Sequence, residues 1–399
     1  MFTARFPVVA LGSLLTLLAP VAAQSVFPTG TTIWEPAATQ DGYTIFAAQG
    51  GNIVMIDMDG TTVHEWTSPV PGLVIDNVQP LSNGRILCLA YASFAEGRRQ
   101  AFELNFDSKA MKAWSVTDQP EGTAYHHDIE RLPNGNTLFL MKQDIDVPSI
   151  SPHTLVDDYI EEVDADGNVV WRWDTYQHFD DFAFPADSLQ LISDSGGDWA
   201  HANSISVIPP NSHGLPEFAE GNIIVSQRFT NTVCIIDRGT GDVVWSLGPE
   251  DHMTYGQHWP HMIEQGLPGA GNILIFDNGS GTGYPLRHRA PGRSRVVEID
   301  PVTKTVVWQY EQWFDFWSNI VSGAQRLENG NTLICSGVRG RLFEVTPTGE
   351  IVWEYMSPYT NPNNGRRLVY RAYRVPYDFV PPKKTARRST PEGQTEREL

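Results

Sequence analysis

Residues 232–247 read TVCIIDRGTGDVVWSL. A short apolar run, a turn-forming stretch of Asp, Gly and Thr, and a second short run ending on Trp245 make two strands joined by a tight turn. The signature recurs: EVDADGNVVW ends at Trp171, EIDPVTKTVVW at Trp308, EVTPTGEIVW at Trp353, MIDMDGTTVHEW at Trp66, and a looser version at Trp114. Upstream of most of these lies a second turn, LSNGR, LPNGN, GAGN or LENGN, followed by an apolar run such as NTLFLM, NILIF or NTLIC. Four short strands per unit, at a period of roughly 40 to 50 residues, describe a β-propeller.

Six units can be counted, with cores at 43–66, 76–116, 126–173, 201–247, 261–310 and 322–355. The fold class expected is therefore all-β, a six-bladed propeller of four-stranded antiparallel blades. The first unit lacks an opening strand, and RLVYRAYRVPYDFV (367–380) is placed to supply it and close the ring. The propeller is expected over 24–380. Ahead of it, residues 1–23 carry Arg5, an apolar run and a Val-Ala-Ala ending, the pattern of a cleaved secretory signal. After it, 381–399 is polar and charged and is expected to be disordered. The mature chain is expected to be secreted or periplasmic.

A net charge of −19 argues against nucleic acid or an anionic lipid surface as partner. Cys88, Cys234 and Cys335 each lie in an apolar run and are far apart, so buried thiols are expected, one disulfide being the alternative. No Cys/His metal spacing is present, and no metal or other cofactor is expected.

The links from strand 1 to 2 and from 3 to 4 are mostly tight NG or DG turns. The long links, 143–157, 175–199, 246–260, 281–293 and 311–321, gather on the other face, with 209–221 the exception. Long loops on one face of a rigid scaffold are where a site is built. Opening strands line the central channel, and strand side chains alternate. Aligning those strands places Asp76, His127, Asn203, His261 and Ser322 in one ring at the long-loop end, with His201 one pleat nearer that face. Arg228, ending the second strand of unit four, lies beside His201 and Asn203, and Asp277 and Asn278 lie beside His261. His258 sits in the loop just above. His126 is expected to face away from His127, and His64, His153, His213 and His288 to be surface or loop residues. The six repeat tryptophans are read as blade packing.

Three imidazoles and a guanidinium suit transfer of a sulfuryl or phosphoryl group through a histidine intermediate. A neutral histidine is a competent nucleophile, and an Arg binds anionic oxygens. No carboxylate pair, GxSxG elbow, P-loop or GxGxxG competes with this. Three alternatives stay open: a metal-dependent hydrolase or lyase using His127, His201 and His261, a non-catalytic ligand-binding propeller, and a quinone-cofactor dehydrogenase.

The stretches HHDIERLPNGN, WAHANSISV, IIVSQR, CIIDRGTGDVVWSLG, GQHWPHM and NILIFDNG resemble the bacterial aryl-sulfate sulfotransferase family, over about 30–355. The resemblance implies a six-bladed propeller that moves a sulfuryl group from an aryl sulfate to a phenol without phosphoadenylyl sulfate, by a ping-pong route through sulfohistidine. It implies His261 as nucleophile by register, with His258, which follows Gln257, as the alternative. His201 and Arg228 would bind the sulfuryl oxygens, His127 would move the phenolic proton, and Asn203 would orient the sulfuryl group or a histidine. His258, Asp277 and Asn278 would line the substrate site. Periplasmic members carry an amino-terminal β-domain used in pairing, which this sequence does not show, so a monomer is expected.

Overall fold

The computed structural model describes residues 28–382 except 93–96, 183, 282, 284–291, 313–314 and 362–363. The expected signal, the tail from 383 onward and His288 lie outside the described residues. The described chain is a six-bladed β-propeller.

Blade 2 is made of Val74–Pro80, Ile86–Tyr91, Gln100–Leu104 and Ala110–Ser115. Blade 3 has Ala124–Arg131, Thr137–Ile145, Leu155–Val163 and Val169–Asp174. Blade 4 has Ala202–Val207, Ile223–Gln227, Thr232–Ile236 and Val243–Leu247. Blade 5 has His258–Met262, Ile273–Asp277, Arg295–Asp300 and Thr305–Glu311. Blade 6 has Gly323–Arg326, Thr332–Ser336, Arg341–Val345 and Ile351–Met356.

Blade 1 takes its inner strand from the far end of the chain. Ala372–Val375 pairs antiparallel with Tyr43–Ala47, which continues into Ile53–Ile56 and Thr62–Trp66. A second closure is invisible to the repeat pattern: Gly30–Trp34 adds a fifth, outer strand to blade 6 by pairing with Ile351–Met356. Both described ends are thus tied into the ring.

The strands read as unbroken apolar runs because each blade is covered on both sides. Ile45, Ile53 and Met55 face blade 2, while Phe46, Val54 and Ile56 face blade 6. The core is six clusters, one between each pair of neighbours. Each fully buried Ile, Leu, Val or Phe contributes about 1.5–3 kcal/mol, so the interfaces carry the fold. The cysteines are free and lie in three different interfaces, Cys88 between blades 1 and 2, Cys234 between 3 and 4, and Cys335 between 6 and 1.

The tryptophans also bond the blades. The Nε1–H of Trp245 donates to Pro301 O in the outer turn of blade 5 at 2.9 Å. Trp308 does the same to Pro347 O of blade 6, and Trp353 to Met58 O of blade 1, each at 2.8 Å. In blade 3 the donor is Trp173, to Gly241 O, while Trp171 packs against the core between blades 3 and 4. His64 is half-buried on the outer strand of blade 1. It stacks on Phe106 with ring centroids 3.7 Å apart, packing blade 1 on blade 2.

The link from blade 3 to blade 4 holds a 3₁₀ segment, Thr175–Phe182, and a helix, Ala186–Ser195, which begins after Pro185 and stops at Gly196. It ends in a short strand, Gly197–Asp198, pairing parallel with Leu155–Val156. This pairing carries Asp198 to the channel mouth.

Truncation tests the two closures. A chain ending at Arg367 loses the inner strand of blade 1 and is expected to melt without a cooperative transition by circular dichroism. A chain beginning at Glu35 loses only the outer strand of blade 6 and is expected to melt cooperatively at a lower Tm. Wild-type-like melting of the first chain would contradict this view of closure.

Candidate functional site

Alternation fails in the inner strands because most of them bulge where they reach the long-loop face. In blade 3 Ile129 pairs with Phe139 and Tyr125 with Met141, so residues 126–128 stand opposite Leu140 alone. His126 therefore does not face away from His127. Their ring centroids are 4.2 Å apart, and His201 of blade 4 lies 5.1 Å from each. One ring nitrogen from each of the three lies within 4.8 Å of the others.

Two carboxylates hold this cluster. His201 Nδ1–H donates to Asp198 Oδ2 at 2.5 Å, and His126 Nδ1–H to Asp158 Oδ1 at 2.6 Å. The other oxygen of Asp158 accepts the Ala202 N–H, fixing the start of the blade 4 inner strand. With its Nδ1 proton on Asp198, His201 presents a bare Nε2, and His127 Nε2 lies 3.3 Å from it. The proton between them therefore belongs to His127 Nε2. Burial, with the neighbouring imidazoles and Arg98, holds His127 well below the usual imidazole range. His126 is likewise held down by burial and by His201.

The cluster is walled by aromatic rings and guanidinium groups. Phe229 stacks on His201 with centroids 4.6 Å apart, and Arg228 lies over Phe229 at 5.1 Å. The Arg228 N–H donates to His201 O, so the strand-end placement beside His201 is realised. Tyr370, in the segment entering the closing strand, stacks on His127 at 5.5 Å and donates its hydroxyl to Asn203 O at 2.6 Å. Arg98 holds Asp76 through two hydrogen bonds, at 2.8 and 2.5 Å.

The register reading of blade 5 is corrected by hydrogen bonds. Leu81, Leu132, Ile208, Ile263 and Leu327 each donate their N–H to the residue just before the second strand. These are equivalent positions, and the residue five places earlier is Asp76, His127, Asn203, His258 and Ser322, respectively. His258, not His261, is the ring position. The slip arose because the blade 5 link, 263–272, is twice as long as 81–85, so aligning on its GAGN moved the strand by one pleat and a bulge. That bulge is at Trp259, whose φ of +48° is left-handed.

His258 is buried and its tautomer is set. Nδ1–H donates to Asn278 Oδ1 at 2.7 Å, leaving Nε2 to accept the Val321 N–H at 3.1 Å. Burial and the nearby Arg228 push its pKa down to about 3. Asn278 is locked by donating to Ser318 O and Val321 O. Asn203 is fully buried and donates to Gln257 O at 2.7 Å, so it positions the backbone ahead of His258. Gln257 anchors that segment by donating to Ser226 Oγ, Gln227 O and Thr232 O. Asp277 accepts from the Tyr255 and Gly279 N–H groups and pairs with Arg295, a loop-holding role.

His261 lies elsewhere. Between it and the cluster runs a plug: Arg371 of the closing segment binds both oxygens of Asp128, at 3.1 and 2.9 Å, and Trp259 covers its guanidinium at 4.4 Å. Gly323 makes room, since a Cβ there would come within 2.6 Å of Trp259. Below the plug is a cavity of about 340 Å³ on the short-turn side, lined by His261, Glu130, Ser206, Gln325, Arg326 and Arg374, among others. Burial pushes the His261 pKa down to about 4.

The structure thus gathers His127, His201, Arg228 and, beside them, His258 with Asn278 and Asn203. It adds His126, Asp158, Asp198, Tyr370 and Arg98, and it separates His261. Asp198 stands three residues before His201, a spacing visible in GDWAHAN; Tyr370 has no signal in the repeat.

A family model described as arylsulfotransferase (ASST) matches residues 34–361. No curated protein sequence gives a significant match. Among solved structures, a protein of unknown function from Bacteroides caccae is 16% identical with a TM-score of 0.50, covering 84% of this chain and 98% of its own. A virginiamycin B lyase from Staphylococcus aureus is 11% identical with a TM-score of 0.43, covering 85% and 87%. The first likeness shows the propeller fold.

Asp157, fully buried behind the cluster, tests its electrostatics. Burial, with Asp158 and Asp174 beside it, pushes its pKa up to about 9. The folded state then keeps a proton that the unfolded chain releases above about pH 4. This group makes the fold less stable by about 1.4 kcal/mol per pH unit as pH rises toward 9. Asp157→Asn is expected to match wild type near pH 4 and to be clearly more stable at pH 8 in urea unfolding. Parallel pH profiles for the two proteins would contradict the assignment.

Proposed function

The chain belongs to the arylsulfotransferase family, and from that premise we propose that it moves a sulfuryl group from an aryl sulfate ester to a phenolic acceptor through a sulfohistidine, with His258 as nucleophile. The observation that carries the choice of residue is the shared register of His258 with His127 and Asn203, on the same side of the plug as Arg228. The Gln257-His258 step of the family resemblance supports the same choice.

The chemistry follows from the hydrogen bonds. With its proton held by Asn278, the neutral imidazole of His258 uses the Nε2 lone pair to attack sulfur, displacing the Val321 N–H that it otherwise accepts. The bond from sulfur to the aryl oxygen breaks, and the oxygen leaves with the electron pair. His127 Nε2–H donates a hydrogen bond that stabilises the departing aryloxide, which takes its proton from solvent on release. Arg228 binds the equatorial sulfuryl oxygens and stabilises their charge. In the second half, a phenol occupies the vacated place and gives its proton to the bare Nε2 of His201, which Asp198 orients, and His201 passes it to solvent. Its oxygen attacks sulfur, and the N–S bond breaks to restore His258. Tyr370 and Phe229 supply the aromatic wall for donor and acceptor rings. Residues 1–23 are proposed to export the protein to the periplasm or the medium.

Nitrophenolate release from 4-nitrophenyl sulfate tests this reading. Steady release is expected only with an added phenol. His258→Asn is expected to lose at least about 10³-fold in kcat, and His127→Asn about 10²–10⁴-fold. His261→Asn is expected to stay within about tenfold of wild type. Acceptor-independent release, or loss in His261→Asn with retention in His258→Asn, would overturn the proposal.

A further inference from the structure

We infer that His126, His127 and His201 form a binding site for a divalent transition-metal cation of the zinc class. Three imidazoles each bring a ring nitrogen to one place, within 4.8 Å of one another. Three histidine nitrogens with a fourth position left for water or an anion are a sufficient donor set for such an ion. The 3.3 Å between His127 Nε2 and His201 Nε2 is long for a hydrogen bond between rings. It matches the edge of a tetrahedron whose bonds are about 2.0–2.1 Å, which is roughly 3.3–3.4 Å. The third nitrogen, on His126, has to close in to the same separation to complete that geometry.

The surroundings make this a built site rather than a chance grouping. Histidines that hold metals almost always donate their other N–H to a carboxylate or carbonyl, which fixes the ring and raises its basicity. Two of the three do so here, His126 to Asp158 at 2.6 Å and His201 to Asp198 at 2.5 Å. The same carboxylates offset the charge of a cation. His127 Nδ1 has no hydrogen-bond partner among the described residues, so either nitrogen of that ring is available to a metal. His126 has no part in the proposed sulfuryl transfer, and a cation gives its burial beside two other imidazoles a purpose.

A bound cation ties up His127 and His201, so it blocks turnover. This consequence rests on the proposed transfer chemistry, whereas the site itself does not. The test is calorimetric titration of Zn²⁺ into the full-length protein after chelator treatment, with nitrophenolate release measured in parallel. One equivalent is expected to bind. His126→Ala and His201→Ala are each expected to weaken binding by at least about 100-fold, and Asp158→Asn and Asp198→Asn by about 10–100-fold. His213→Ala, in the link on the opposite face, is expected to leave binding unchanged. Thermal melts confirm that each variant folds, and Asp198→Asn, in the link between blades 3 and 4, keeps the test valid if a variant within a blade does not. Absence of stoichiometric binding, or equal affinity in folded His126→Ala, would overturn the site. Stoichiometric binding without inhibition would uphold it and count against the roles given to His127 and His201.

Discussion

The ion pair between Arg371 and Asp128 is the constraint on which the arrangement depends. Both residues are buried, and the guanidinium takes both carboxylate oxygens. Asp128 also accepts the N–H groups of Ile129 and Ile205, so one carboxylate ties together the inner strands of blades 3 and 4 and the closing segment. Removing either partner leaves a buried charge uncompensated, at a cost of about 3–5 kcal/mol. The pair lies against Trp259 and lines the cavity that holds His261, a cavity that His126, His127, His201 and His258 do not line. Because the last segment of the propeller supplies Arg371, closing the ring and defining the floor of the site are one event.

That division gives the histidines their different surroundings. Above the plug, His126, His127, His201 and His258 lie near Arg98 and Arg228, and burial keeps three of these four imidazoles well below their usual range. Neutral imidazoles near cationic guanidinium groups attract an anionic ester without themselves being protonated, which is the state a nucleophile needs. Below the plug, His261 shares its cavity with Glu130, whose carboxyl burial pushes up to about 8.

The propeller was legible because its strands are buried on both sides and its turns repeat. Runs such as ILIF and TVCII, spaced by Gly-containing turns and closed by Trp, have few other uses. The closing strand was legible from a missing first strand. The outer strand Gly30–Trp34 was not, since one added edge strand has no period. At the site, His127, His201 and Arg228 are neighbours in the structure as they are in the register of adjacent blades. His126 and His258 do not fall where alternation puts them, because bulges at 126–128 and at Trp259 break alternation, and a bulge has no reliable mark in one sequence. Asp198 and Tyr370 come from an insertion and from the far end of the chain, where no repeat register exists to align them.

The central claim is that a sulfuryl group rests on the histidine above the plug. Incubation of the full-length protein with a ³⁵S-labelled aryl sulfate in the absence of phenol, followed by rapid denaturation at alkaline pH and peptide mapping, tests it most directly. The account predicts one labelled peptide, containing His258, whose label is released when phenol is added before denaturation. Label on His261 with none on His258, or no protein-bound label while transfer proceeds, would contradict it.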